Sequence, residues 1–127
     1  MKVKTNKLTD AALDWAVAIA KGIPSEELKL PWSRSDGLFR YLRDEDGKLN
    51  GCYLAGPDLL FSQKWEAGGP IIEQAGIGLV FLGDEWSAGN AGGTIVEDGP
   101  TPLIAAMRCY VSSKLGDSVD VPEELLK

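Results

Sequence analysis

The sequence predicts an α+β fold, an antiparallel sheet of about four or five strands with an N-terminal and a C-terminal helix packed on it. Two observations carry that expectation: helix-periodic, capped segments lie near both ends, and the stretch between them alternates short apolar runs with Gly and Pro punctuation. A third concerns size, because 127 residues that are 44% hydrophobic and 25% charged suit one globular domain over residues 1–127.

The first helix is read in "LTDAALDWAVAIAKGIP". Thr9 is its N-cap and Asp10 places negative charge at the positive end of the helix dipole. Ala12, Leu13, Trp15, Ala16, Val17, Ile19 and Ala20 make a wide apolar arc, opposite a narrow polar stripe of Asp10, Asp14 and Lys21. Gly22 and Pro24 end it. "PSEELKLPW" reads as a short helical turn or loop.

Two alternating runs, Leu38 to Arg43 and Lys48 to Leu54, flank an Asp46-Gly47 turn and predict a β-hairpin. Its acidic turn lacks the spacing of an EF-hand, so calcium is not expected there. Next come three strand candidates, "DLLFS", "GIGLVFL" and "GTIVED", with "PIIEQAG" expected as one helical turn beginning at Pro70.

The last long helix is read in "GPTPLIAAMRCYVSSKLGD". Thr101 is the N-cap, Pro102 the first helical residue and Gly116 the C-cap, which leaves about fourteen helical residues. Leu103, Ala106, Met107, Tyr110 and Val111 share a core face, while Thr101, Arg108 and Ser112 share another. The tail "DVPEELLK" reads as a short terminal helix opened by Pro122 or as a loose acidic end.

Composition narrows the chemistry. The net charge of −6, from 13 basic and 19 acidic residues, opposes binding to a phosphate backbone, so no direct nucleic-acid partner is expected. No run of about eighteen apolar residues and no signal-type segment occurs, so the expected location is cytoplasmic and away from membranes. Cys52 and Cys109 are too far apart for a metal or redox motif and read as buried thiols. The chain has no histidine, which removes the commonest general base and metal ligand. Neither a dinucleotide fingerprint nor a P-loop is present. Glu26-Glu27 and Glu123-Glu124 are sequence neighbours that do not face each other as an acid/base pair. The expectation is a protein without catalytic residues, metal or cofactor.

Two places suit a ligand. At the start of the last helix, the Thr101 hydroxyl, the first-turn amides and an Arg108 side chain leaning back toward them, beside Ser112, suit a phosphate or carboxylate, with Thr101 as a cap only and Arg108 paired to an acidic neighbour from another element as the alternative. In "FSQKWEAGGP", Trp65 beside Gly68 and Gly69 has the composition of a recognition loop; its alternative is that Trp65 plugs the core, with Gly68-Gly69-Pro70 as a turn. Of the other tryptophans, Trp15 belongs to the core arc, and Trp32 and Trp86 lie beside loop signals.

Three blocks, "MKVKTNKLTDAALDWAVAIAKG", "WEAGGPIIEQAGI" and "GPTPLIAAMRCYVSSKLGDSVDVPEEL", resemble the NinX-like phage proteins in the expected order over about half of the chain. Ile23 to Leu60 carries no family pattern. Where the family often has Ser-Thr-Asp-Trp, this chain has Ser62, Gln63, Lys64 and Trp65, so no carboxylate precedes the tryptophan. The resemblance implies a small phage accessory protein acting inside the bacterial host, and it implies no reaction. The leading expectation is therefore a non-enzymatic binder of an anionic small molecule such as a nucleotide, sequestering a host immune signal. It would use Trp65, Gly68, Gly69, Thr101, Arg108 and Ser112, in a compact domain expected as a homo-oligomer. The rival expectation is an acidic interaction module that inhibits a host protein.

Overall fold

The computed structural model describes residues 1–29, 39–54 and 59–126. Trp32, Leu38, and the side chain of Cys52 lie outside what is described. The fold is α+β, with strands β1 (Lys2–Lys4), β2 (Leu28–Lys29), β3 (Phe39–Arg43), β4 (Leu49–Leu54), β5 (Gly78–Phe81), β6 (Trp86–Gly89), β7 (Val96–Gly99) and β8 (Ser118–Asp120). Three helices accompany them: α1 (Asp10–Ala20), α2 (Trp65–Ala75) and α3 (Pro102–Leu115). The strands divide among three small antiparallel sheets, ordered β1-β8, β2-β3-β4 and β5-β6-β7, and not into the single sheet of four or five strands expected. Short strands broken by glycine leave little edge for one sheet to extend along, and α3 packs on the β5-β6-β7 sheet and meets β8.

Helix α3 is the centre of the molecule. Ala105, Ala106, Met107, Cys109 and Val111 are all fully buried. One side of the helix lies on β6 and β7, and others meet α1 and α2. Small residues permit that approach: a Cβ placed on Gly99, at the end of β7, would sit 2.7 Å from the Ala105 nitrogen. Thr101 caps the helix as expected, its hydroxyl accepting from the Ile104 N–H at 3.1 Å.

Helix α1 has the expected bounds, although the Thr9 side chain makes no capping hydrogen bond, and Ala11 through Ala18 are buried throughout. Asp14 is a correction to the expected polar stripe, because it is 1% exposed. Its carboxylate accepts from the Ser62 N–H at 2.8 Å and from Gln63 Nε2 at 3.0 Å. A buried carboxylate is tolerated here because it satisfies the donors of an irregular segment. That segment is a second correction: Leu59 to Ser62 of "DLLFS" forms turns, not a strand, with Gln63 and Lys64 N–H groups both donating to the Leu60 carbonyl.

A third correction concerns α2, which begins at Trp65 and carries Pro70 in its interior. The expected Gly68-Gly69-Pro70 turn is helical because packing overrides propensity. A Cβ on Gly68 would press into the Phe61 carbonyl oxygen and approach Leu103 Cδ2 to 2.7 Å, so only glycine lets α2 lie this close. Gly76, at φ 67°, ends the helix in the left-handed conformation.

The β3–β4 hairpin forms as expected around Asp46-Gly47. Glu27 anchors it, receiving Arg40 at 3.0 Å and Arg43 at 2.9 Å, while Arg43 also reaches Glu26 at 2.8 Å. These arginines, Arg43 first, hold the Glu27 carboxyl below its usual range. β1 and β8 pair across nearly the whole chain, with Val3 opposite Val119. The tail after Pro122 makes one 3-10 turn, Glu123–Leu126, that buries Leu125.

Two stability measurements test these contacts. In urea unfolding, Gly68→Ala is expected to lose about 2 kcal/mol through overpacking. Gly69→Ala, with nothing nearer its Cβ than Trp65 Cε3 at 3.9 Å, gains about 0.5–1 kcal/mol from helix propensity. The second test uses Asp14, whose pKa burial raises to about 6 against 3.8 for an ordinary aspartate, with the hydrogen bonds from Ser62 and Gln63 opposing. The folded state therefore holds this proton longer than the unfolded state. Stability from this group is greatest below the unfolded value and is lost as pH rises through about 6. Relative to Asp14→Asn, the wild type is expected to lose about 2–3 kcal/mol of unfolding free energy between roughly pH 4 and pH 7.

Candidate functional site

Clefts open among the described residues, three of them well formed. The first, of about 360 Å³, lies between the start of α2 and the start of α3; Ser62, Gln63 and Trp65 form one wall, and Thr101, Pro102, Leu103 and Ile104 the other. The second, of about 350 Å³, is polar and lies beside the β7 edge, between Asn6, Lys7 and Val96 and the charged groups Glu85, Glu97, Asp98 and Arg108. The third, of about 250 Å³, runs from Lys7, Thr9 and Asp10 to Leu125 and Leu126.

The first cleft is built by two local decisions. Asp14 holds the Ser62 backbone and the Gln63 amide, which sets the wall leading into α2. The chain then turns directly into the helix at Trp65, leaving this side chain 55% exposed on the first turn. Trp65 is thus neither in a flexible loop nor in the core: it is an exposed aromatic on a rigid helix end. Lys64, at the N-cap position, has no side-chain acceptor, so the Trp65 and Glu66 N–H groups are left without a cap. On the facing wall, Thr101 already spends its hydroxyl on Ile104. No charged side chain lines this cleft, although the chain as a whole carries −6.

The residues expected to act together are placed on different surfaces. Trp65 and Thr101 share the first cleft. Arg108 is in the second, where Nε donates to the Leu8 carbonyl at 2.9 Å and Nη1 to the Asp98 carbonyl at 2.8 Å. The expected return of its guanidinium to the helix start does not occur. Seven residues along α3 is about 10 Å, and two nearer carbonyls capture the donors first. Burial pushes the Arg108 pKa down, while Glu97 and Glu85 pull it up. Ser112 is buried on the same side of α3, next to Glu97. The Glu97 carboxyl is itself raised by burial, with Ser112 and Arg108 opposing. Three carboxylates therefore share the Arg108 cleft, an arrangement that repels anions.

Gly68 is buried on the inner face of α2 against Phe61 and Leu103, so it offers no backbone to a ligand, and Gly69 is half-buried within the helix. Pro102, Leu103 and Ile104 form the apolar wall that sequence reasoning assigned to helix capping and core. A signal for Asp14 was present: it is the lone acidic residue within the run Ala11 to Ala20, where the apolar arc leaves a polar stripe one residue wide. Cys109 is buried and its thiol is pushed up to about 11 by burial, so it is not a nucleophile. Among the described residues, no three His, Cys, Asp or Glu side chains gather as a metal site, and no helix is long and apolar enough to cross a membrane.

No curated protein matches the chain. The family model described as "Bacteriophage P22, NinX" matches residues 4–114, and so includes the 23–60 segment in which the sequence shows no family pattern by eye. That match covers most of the chain, both helices that bound the first cleft and α1 beneath it, and the protein is a phage protein that belongs to the bacteriophage P22 NinX family.

Proposed function

We propose that this phage accessory protein works in the cytoplasm of the bacterial host as a non-enzymatic binder, taking a planar, anionic small molecule such as a nucleotide into the cleft between α2 and α3. The observation that carries the reading is Trp65, held 55% exposed at a rigid helix start opposite Thr101, in a cleft of about 360 Å³. That volume falls in the range of small-molecule sites, and the lining is of the usual kind, apolar with a few polar groups. A ring stacks on the indole, the Gln63 amide reads its edge, and an anionic group meets the uncapped amides of the α2 first turn. Of the three clefts, this is the one whose walls carry no carboxylate. Arg108, Ser112 and Gly68 drop out of the proposed site, while Trp65 and Thr101 remain and Gly69 contributes only as part of α2. A host nucleotide signal used in defence is a suitable target for such a sequestering protein.

The second reading, a host protein gripped through the same cleft, is favoured by one observation: an exposed tryptophan beside Pro102, Leu103 and Ile104 has the composition of an interface anchor. Calorimetry against a panel of linear and cyclic nucleotides separates the two. The expected result is saturable binding to at least one member, weakened about tenfold or more in Trp65→Ala by loss of stacking, and unchanged within about twofold in Arg108→Ala. Absence of binding across the panel removes the nucleotide reading. Recovery of one host protein by pull-down, lost in Trp65→Ala, then supports the interaction module.

A further inference from the structure

The β5-β6-β7 sheet has two edges, and they are treated differently. The β7 edge carries Glu97 and Asp98, and Arg108 occupies the Asp98 carbonyl. The β5 edge carries none of these protections. Ile77 to Gly83 contains no charged residue and no proline, and Val80, Phe81 and Leu82 are 59%, 58% and 52% exposed.

Hydrogen-bond alternation fixes which groups this edge offers. Leu82 N–H donates to the Glu85 carbonyl at 2.8 Å, and β5 pairs Val80 with Ser87 and Gly78 with Gly89. Those residues spend their backbone groups on β6, so Leu79 and Phe81 direct N–H and C=O outward. Among the described residues nothing pairs with them.

We propose that this edge binds a second copy of the chain, β5 against β5 and antiparallel, about a two-fold axis at Val80, to make one continuous six-stranded sheet. In that register Leu79 of each copy faces Phe81 of the other. Both are outward-directed residues, so all four of their donors and acceptors per pair are satisfied. Val80 meets its own equivalent at the axis. Leu82 lies over Gly78 of the other copy, where a Cβ would find nothing within 4 Å, so a large side chain enters a gap left by a missing one. A shift by one residue breaks the hydrogen-bond match, and a shift by two removes the Leu82-over-Gly78 fit.

Charge permits the arrangement: each copy carries −6, yet the paired segment brings no like charges opposite each other. The strand edge and three side chains bury roughly 400 Å² on each copy, about half of a standard stable interface. The dimer is therefore weak and concentration-dependent, with a dissociation constant on the order of tens of micromolar.

Sedimentation velocity on the full chain from about 10 to 500 µM tests it, reading mass against 13.6 kDa for one copy. The wild type is expected to move toward twice that mass. Val80→Lys, which places two ammonium groups at the axis, is expected to stay monomeric with an unchanged circular dichroism spectrum. Val96→Lys, at the equally exposed opposite edge, is expected to dimerise as the wild type does. Val80→Cys is expected to form a disulfide-linked dimer on mild oxidation, because a non-hydrogen-bonded antiparallel pair brings Cα atoms to about 4.5 Å. The wild type under the same oxidant is the control. A wild type that stays monomeric to about 500 µM overturns the proposal and leaves the edge for a strand of another protein. Dimerisation that survives Val80→Lys, or that yields no Val80→Cys cross-link, overturns it too.

Discussion

Everything else in this molecule depends on how closely its neighbours approach α3. The helix is buried on several sides at once, and it can be because the contacting positions are alanine or glycine: Ala105 and Ala106 on the helix, Gly99 beneath it and Gly68 across from Leu103. Each of these places removes one or more carbon atoms from the contact, so β7 and α2 can lie against the helix without prying it from α1. Larger side chains would fill the same volume and would hold the elements further apart.

That closeness also decides where chemistry can happen. α2 sits tightly enough on α3 for their first turns to share one cleft, and the buried Asp14 fixes the strand of chain that enters α2. Further along α3 the approach of β7 does the reverse: it presents the Asp98 carbonyl to Arg108 and brings carboxylates around it. One helix therefore carries an uncharged cleft at its start and a charged one two turns later. The family match at residues 4–114 includes both.

What was legible in the sequence was what local chemistry decides. The bounds of α1, the cap of α3, the Asp46-Gly47 hairpin and the strands β5 and β7 follow from residues within a few positions of each other. Gly68-Gly69-Pro70 was misread because its helical state is imposed from outside, by Phe61 and Leu103. Asp14 was misread because periodicity records polarity and not the Ser62 and Gln63 donors that come from 48 and 49 residues away. Arg108 was placed on the correct face of its helix, but its destination was set by carbonyls at Leu8 and Asp98, one of them 100 residues distant. Of the residues expected together, Trp65 and Thr101 do line one cleft; Thr101 was legible as a cap, whereas the exposure of Trp65 is set by the turn that Asp14 holds before α2.

The pairing of β1 with β8 has a consequence for how the protein comes into being on the ribosome. Lys2 bonds opposite Asp120, Thr5 donates its hydroxyl to the Gly116 carbonyl at 2.7 Å, and the Met1 amine reaches Asp120 at 2.7 Å. β1 is therefore synthesised more than a hundred residues ahead of its partner. During translation β1 waits unpaired while α1, the hairpin and α2 emerge, and the core closes only when α3 and β8 are both free to dock. Such long-range closure slows the final step of folding and leaves the apolar α1 surface open to chaperones until that moment.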